Sequence, residues 1–162
     1  MTKNKVNGIF PSEIGQLTNL KTILLEDNKL TGSIPTFIGL CTSLLDLLLN
    51  DNQLSGSIPS EVGSLQELTI LRMYMNRFSG SIPTHLGNCQ NLKFINLSDN
   101  KIEGTMPPEL GKLSSLNAFR ACRTDMTGNM PSEICNLTKF GLITLIGPLK
   151  ISCNCCSTTG QC

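Results

Sequence analysis

The residues best suited to chemistry are cysteines gathered at one end of the chain. The sequence has eight Cys, and four of them follow the spacing C-x-C-C-x5-C, as Cys153, Cys155, Cys156 and Cys162. Four thiolates could bind zinc, but the cluster lacks the paired C-x2-C spacing of structural zinc sites. Disulfide bonds and free thiols are the other readings. The pairing cannot be read from the sequence.

Catalytic residues are scarce in the rest of the chain. The only His, His85, has no paired acid and nucleophile placed near it in the sequence pattern. The sequence also lacks a G-x-x-x-x-G-K-S phosphate loop, an H-E-x-x-H motif and a kinase signature. We therefore predict that this region is not an enzyme and that it uses no cofactor and no metal.

The composition excludes further classes. Thirteen basic and twelve acidic side chains leave a net charge of +1, which argues against a nucleic-acid partner. With 40% apolar and 15% charged residues, the chain should fold. Abundant Gly and Asn beside only two Ala predict little helix. No apolar run is long enough for a membrane span, and the first twenty residues lack the apolar segment of an export signal.

A repeat of 24 residues dominates the sequence. Leucine marks its first position, at Leu20, Leu44, Leu68, Leu92 and Leu116. Asparagine marks its ninth position, at Asn28, Asn52, Asn76 and Asn100. The unit reads L-x-x-L-x-L-x-x-N-x-L-x-G-x-I-P-x-x-L-G-x-L-x-x, and we number its positions 1 to 24. Alternating apolar residues at positions 4 and 6 predict a short strand, and the Gly and Ile-Pro that follow predict a turn, so each unit forms one coil.

This motif resembles that of leucine-rich repeat proteins of the 24-residue plant type, whose mark is L-x-G-x-I-P. The match runs from about residue 4 to residue 146. The resemblance implies an α/β solenoid: a right-handed superhelix with a parallel β-sheet on the concave face, short second strands, and 3-10 turns on the convex side. It also implies a non-catalytic recognition role, since the chain is similar to receptor-like kinase ectodomains and polygalacturonase-inhibiting proteins.

The repeat divides the chain into three parts. We predict a partial repeat over 1–19, five complete repeats over 20–139, and a degenerate repeat with a Cys-rich cap over 140–162. The resemblance implies that Cys153, Cys155, Cys156 and Cys162 close this cap by disulfide bonds. At the other end the pattern starts in the middle of a strand, with Val6 and Phe10 uncovered. We expect a fragment of a longer protein, or else a native start with a frayed first coil.

Within the repeat, some polar and sulfur-bearing residues have a structural interpretation. Asn28, Asn52, Asn76 and Asn100 should face inward and bond to backbone groups along the stack. Cys41 and Cys89 replace Leu at position 22 and should be buried. Cys122, at position 7, is expected to be exposed, where it could pair with Cys135 or with the terminal cluster.

The candidate binding surface is the concave face, where positions 3, 5, 7 and 8 should point to solvent. Acidic residues come first, at Glu26, Asp27, Asp46 and Asp51, and basic residues follow. Between them lies an apolar strip with aromatic side chains, the residue types that anchor protein interfaces. The predicted ligand-binding residues are Leu48, Ile70, Arg72, Tyr74, Phe94, Asn96 and Arg120.

These features predict a recognition module at the cell surface or outside the cell, with a protein or peptide ligand or a glycan. Sequons at Asn96 and Asn136 agree with secretion, although a glycan on Asn96 would crowd the concave site. A cytoplasmic scaffold is the alternative. An ice or carbohydrate surface binder would need one repeated polar side chain on a flat face, and position 5 shows none.

Overall fold

Each repeat forms one coil of a solenoid in the computed structural model, which describes residues 5–138, 144–146 and 151–152. A coil runs from a strand on the concave face, through a second short strand, to a 3-10 turn on the convex face. The concave strands are β2 (Thr22–Leu24), β4 (Asp46–Leu48), β6 (Ile70–Arg72), β8 (Phe94–Asn96), β10 (Ala118–Arg120) and β13 (Thr144–Ile146). The predicted fold class is confirmed.

The other short strands form separate sheets. Four of them pair in parallel in the order β11 (Asp125–Met126), β9 (Lys101–Gly104), β7 (Arg77–Gly80) and β5 (Ser55–Gly56). Two further pairs join β1 (Asn7–Ile9) to β3 (Lys29–Thr31), and β12 (Gly128–Asn129) to β14 (Ile151–Ser152). In the concave sheet the parallel register is one full repeat, with Leu47 opposite Leu71 and Leu71 opposite Ile95.

Proline begins each convex turn. The residue before each 3-10 segment is a Pro with φ between −72° and −67°, which starts the turn and cannot extend the preceding strand. The turns span Ser12–Gln16, Thr36–Leu40, Ser60–Ser64, Thr84–Asn88 and Pro108–Lys112. The α-helix of the described residues, α1 (Ser132–Thr138), takes the same place in the fifth repeat.

The leucine positions share one elongated core. Leu44, Leu68 and Leu92 are fully buried, and Phe78 and Phe119 are among the largest side chains inside. Because each buried row continues from coil to coil, a single coil cannot shield its own apolar side.

Glycine at position 20 lets adjacent coils approach closely. A Cβ atom on Gly39 would lie 2.8 Å from the carbonyl oxygen of Glu61 in the next turn, and one on Gly63 would overlap the carbonyl oxygen of His85. These glycines have ordinary φ values, so their role is to leave space.

The asparagines at position 9 bond along the stack. The Asn76 amide donates to the carbonyl oxygens of Leu49 at 2.9 Å and Met73 at 3.2 Å, and its oxygen accepts from the Leu54 N–H at 2.9 Å. Asn52 and Asn100 repeat this pattern. Thr124 takes the position in the fifth repeat and donates to the Ala121 carbonyl. The terminal cysteines predicted to form the cap lie outside the described residues, as does most of 140–162.

Candidate functional site

The concave sheet presents its variable side chains at positions 3 and 5 of each repeat. On each strand the middle residue is buried, as in Leu47, Leu71 and Ile95, and the flanking residues point outward. This alternation follows from the pleat of a strand. The outward residues therefore form rows that cross the repeats.

Position 8, just after each concave strand, adopts left-handed backbone geometry in all five complete repeats. The φ angles are 57° at Asp27, Asp51 and Asp99, 53° at Met75 and 50° at Arg123. Asp tolerates this region well, whereas longer side chains rarely enter it. Met75 and Arg123 thus depart from the local backbone preference.

An open groove of about 650 Å³ lies on the concave face across the third, fourth and fifth repeats. Met75 and Arg123, the two residues at position 8 that are not Asp, both line this groove. Its lining is Arg72, Tyr74, Met75, Phe94, Ile95, Asn96, Ser98, Asp99, Ala118, Arg120, Cys122 and Arg123. Apolar surface from Tyr74, Met75 and Phe94 therefore lies among several cationic side chains.

The groove brings together most of the residues predicted as ligand-binding from the sequence. Arg72, Tyr74, Phe94, Asn96 and Arg120 all line it. The two other predicted residues, Leu48 on β4 and Ile70 on β6, are half-buried and are not among the lining residues. The predicted set omitted Met75, Asp99 and Arg123, which the left-handed turn at position 8 directs into the groove.

Position 7 is less exposed than expected. Cys122 was predicted to be exposed, yet it is buried, with 6% of its surface accessible, and Asn50 and Ser98 are buried as well. The backbone turns sharply at position 8, so position 7 lies against the adjacent coil. Ser98 shows the consequence, because its hydroxyl accepts a hydrogen bond from the Cys122 N–H at 3.1 Å.

An ion pair holds one side of the groove. Arg123 donates to both carboxylate oxygens of Asp99, through Nε at 2.5 Å and Nη2 at 2.7 Å. This pairing raises the pKa of the Arg123 guanidinium, so its charge is permanent. A bidentate pair also restricts the orientation of the Arg123 side chain.

Tyr74 lies where the acidic and basic parts of the concave face meet. Its pKa is raised, first by burial and then by the negative charge of Asp51, while the positive charge of Arg72 opposes the shift. The Asp51 carboxylate itself accepts a hydrogen bond from the Asn50 amide at 2.8 Å. The tyrosine hydroxyl therefore stays protonated at neutral pH.

The histidine, the two cysteines of position 22 and the second sequon predicted from the sequence lie outside the groove. His85 is exposed on the convex turn Thr84–Asn88. Cys41 and Cys89 are buried free thiols, and burial raises the pKa of Cys89 to about 11. Cys122 and Cys135 are disulfide-bonded. Asn136 is exposed on α1.

The Leucine Rich Repeat family profile matches residues 19–41, 43–65, 67–89 and 91–113, which is more than half of the chain. The chain belongs to the leucine-rich repeat family. No curated protein sequence matches it significantly.

Two plant receptors are among the similar solved structures. One is the ectodomain of the membrane receptor kinase GASSHO1/SCHENGEN3 from Arabidopsis thaliana in complex with CASPARIAN STRIP INTEGRITY FACTOR 2, at 33% identity and a TM-score of 0.86. The match covers 93% of this chain and 18% of that chain. The other is the plant peptide hormone receptor RGFR1 in complex with RGF2, at 37% identity and a TM-score of 0.84, covering 91% and 23%. The chain thus spans less than a quarter of either receptor structure.

A plant ice-binding protein has the same fold, at 26% identity and a TM-score of 0.78, with 88% of this chain and 46% of that chain covered. The fold alone therefore does not choose among ligands. Within the described residues, no helix is both long enough and apolar enough to cross a membrane.

Proposed function

We propose that the chain is a peptide-recognition region of an extracellular leucine-rich repeat protein and that the concave groove holds the peptide. The observation that carries this proposal is the groove's composition: Tyr74, Met75 and Phe94 offer apolar surface between Arg72 and Arg120. Aromatic residues, Met and Arg are the types enriched in protein interfaces. The peptide hormone receptor among the structural neighbours supports the same reading.

The groove suits a peptide that carries both apolar and acidic side chains. Phe94 and Met75 are 41% and 52% exposed, so an apolar side chain of the ligand removes their surface from water. Arg72 and Arg120 are exposed and make no ion pair among the described residues. Their charges are therefore available to carboxylates of the ligand.

The extracellular location is part of the proposal. Disulfide-bonded Cys122 and Cys135 support it, because disulfides persist in oxidising compartments and are rare in the cytosol. Mass spectrometry of natively purified protein tests this point. Reduced thiols at both positions would favour the cytoplasmic scaffold instead.

We further propose that the region acts without catalysis and that Asn136, not Asn96, carries a glycan. The groove contains no His, and its one cysteine, Cys122, is disulfide-bonded. Asn96 lines the groove, so a glycan there would occupy the peptide site. Site mapping by mass spectrometry should find the modification at Asn136, and full occupancy of Asn96 would contradict a peptide in the groove.

The binding test is selection of a phage-displayed random peptide library on the full chain. The wild type should enrich peptides that combine apolar and acidic residues. Arg72→Gln/Arg120→Gln should bind the enriched peptides at least about tenfold more weakly, since it removes two interface cations.

The matched control is Lys21→Gln/Lys112→Gln, which removes the same charge from exposed positions outside the groove. It should bind the enriched peptides as the wild type does. Equal weakening in both double variants would contradict the groove, and so would a wild type that enriches no peptide family.

A further inference from the structure

A second cavity lies on the convex side of the solenoid, between the 3-10 turn Pro108–Lys112 and α1. Its volume is about 500 Å³, which is within the usual range of small-ligand sites. We call it the convex pocket, and its lining is Pro108, Glu109, Gly111, Lys112, Glu133, Asn136 and Leu137. None of these residues lines the concave groove, so the two sites are separate.

The convex pocket combines apolar surface with charged side chains. Leu137 holds position 22 of its repeat and is half-buried, whereas that position is fully buried in the four earlier complete repeats, at Cys41, Leu65, Cys89 and Leu113. Pro108, also in the lining, is exposed. The side chains of Glu109, Lys112 and Glu133 add charge. Apolar walls with a few polar groups are the usual make-up of a site for a small polar ligand.

One oxygen atom in the lining of this pocket lacks a hydrogen-bond donor. Oε2 of Glu109 is buried and has no partner within the described residues. Other repeats supply a donor, because a Ser at position 17 donates to Oε2 of the Glu at position 18. The distances are 3.1 Å in Ser12–Glu13 and Ser60–Glu61 and 3.2 Å in Ser132–Glu133. Pro108 replaces this Ser, and a buried acceptor left without a donor lowers stability.

Asn136 is placed to bring a ligand of matching chemistry to the convex pocket. It is the exposed acceptor of the sequon Asn136-Leu137-Thr138, and both Asn136 and Leu137 line the pocket. The first sugar of an N-glycan is N-acetylglucosamine, which has apolar C–H faces and donates hydrogen bonds from its hydroxyl and amide groups. Because this sugar is bonded to a lining residue, it enters the pocket without the entropy cost of association.

We infer that the convex pocket holds the first N-acetylglucosamine of a glycan on Asn136. The sugar ring covers Pro108 and Leu137, and one of its hydroxyl or amide groups donates to Oε2 of Glu109. The inference rests on the glycosylation of Asn136 proposed above and gives that glycan a structural role. The sugar stabilises the packing of α1 on the preceding turn, since it buries apolar surface and supplies the missing donor.

The test uses the full chain with Asn96→Gln, secreted from cells that make only high-mannose glycans, so that one sequon remains. Endoglycosidase H then trims the glycan on Asn136 to its first sugar. The intact and trimmed forms should have the same melting temperature. It should lie about 2 to 4 °C above that of Asn96→Gln/Asn136→Gln, which has no glycan.

A further variant tests the role of Glu109. Pro108→Ser gives Glu109 the neighbouring hydroxyl that Glu61 has, and it removes one apolar wall of the pocket. In this background the melting temperatures of the chains with and without the glycan should converge. A difference of unchanged size would overturn the inference.

The matched control moves the glycan to the same repeat position two coils earlier. Gln90→Thr creates a sequon at Asn88, which is exposed at position 21, and in the preceding coil Ser60 already donates to Glu61. Added to Asn96→Gln/Asn136→Gln, this glycan should leave the melting temperature unchanged. Equal stabilisation by glycans on Asn88 and Asn136 would overturn the inference, and so would a loss of the stabilisation on trimming.

Mass spectrometry separates failure of this inference from failure of the proposed glycosylation. Absence of a glycan on Asn136 would contradict both. A glycan on Asn136 that leaves the melting temperature unchanged would overturn the seat in the convex pocket alone.

Discussion

The convex and concave faces share one 24-residue period but differ in how freely their residues vary. On the convex side, position 20 is Gly in every coil from Gly15 to Gly111, because the backbone of the next turn fills the space that a side chain would need. On the concave side, position 5 changes from Leu48 to Arg72 to Asn96 without any change of strand. Stacking therefore constrains one face and leaves the other available for recognition.

The same contrast occurs within the concave face at position 8. Asp27, Asp51 and Asp99 suit the left-handed backbone there, whereas Met75 and Arg123 do not. Both departures line the groove. Residues held against a backbone preference tend to cluster at functional sites, so we expect stability and recognition to conflict in the proposed peptide groove.

The largest effect should come from breaking the convex packing. Gly63→Ala places a methyl group against the His85 carbonyl, and we expect a loss of about 3 kcal/mol in the free energy of unfolding, measured by urea denaturation. The exposed neighbour provides the control, since Ser64→Ala should change stability by less than about 0.5 kcal/mol. If both variants unfold at the same urea concentration, the adjacent coils are not in this contact.

Next in size is the loss of one asparagine from the stack. Asn76→Ala leaves the Leu54 N–H and the Leu49 carbonyl without the partner they have in the stack, so unfolding should become easier by about 2 to 3 kcal/mol. Thr124→Ala, at the same position where the stack ends, removes one hydrogen bond and should lose about 1 kcal/mol. If both variants lose the same free energy of unfolding, the hydrogen bonds of Asn76 between repeats add no stability beyond that of the single local bond of Thr124.

A substitution at position 8 should have a smaller effect, and it should raise the stability of the chain while it weakens peptide binding. Met75→Asp restores the residue type that the turn favours and should stabilise the chain by about 0.5 to 1 kcal/mol, while binding of the selected peptides falls. Asp27→Met makes the reverse change in the first repeat, outside the groove. It should destabilise the chain and leave peptide binding unchanged. If the Met75→Asp variant binds the selected peptides as the wild type does, Met75 is not needed for peptide recognition.

The smallest effect concerns the thiol of Cys89. Its pKa in the fold is about 11 against an ordinary value of 9.0, chiefly because burial disfavours the thiolate. The folded chain therefore holds this proton more tightly than the unfolded chain, and the contribution is complete below pH 9 and lost as pH rises toward 11. Thiol alkylation at pH 8 should be slow until the chain unfolds. The stability difference between wild type and Cys89→Ala should shrink over the same pH range, and a constant difference would contradict this assignment.

Much of the fold follows from spacing because contacts in a solenoid join residues one repeat apart. Leu68 and Leu92 share the core because they hold the same position of adjacent repeats, and Asn76, at position 9, bonds to Leu49, at position 6 of the preceding repeat. Five of the seven predicted ligand-binding residues line one groove on this basis. The prediction failed for Cys122, because strand alternation was extended two residues past the end of the strand at Arg120.

Arg123 shows what a repeat pattern leaves open. The letters at position 8 do not show that the backbone there is left-handed, which is the reason Arg123 reaches Asp99 and the groove.

The sequence by itself determined the period, the buried rows, the turns and the identity of each row's members, because hydrophobic burial and proline geometry act on residue type and spacing. Only the tertiary structure decided how the rows meet: that the third to fifth coils form a groove and that position 7 is covered. The physical reason is that a side chain's direction and partners depend on backbone dihedral angles and on the stacking of neighbouring coils, which spacing alone does not specify.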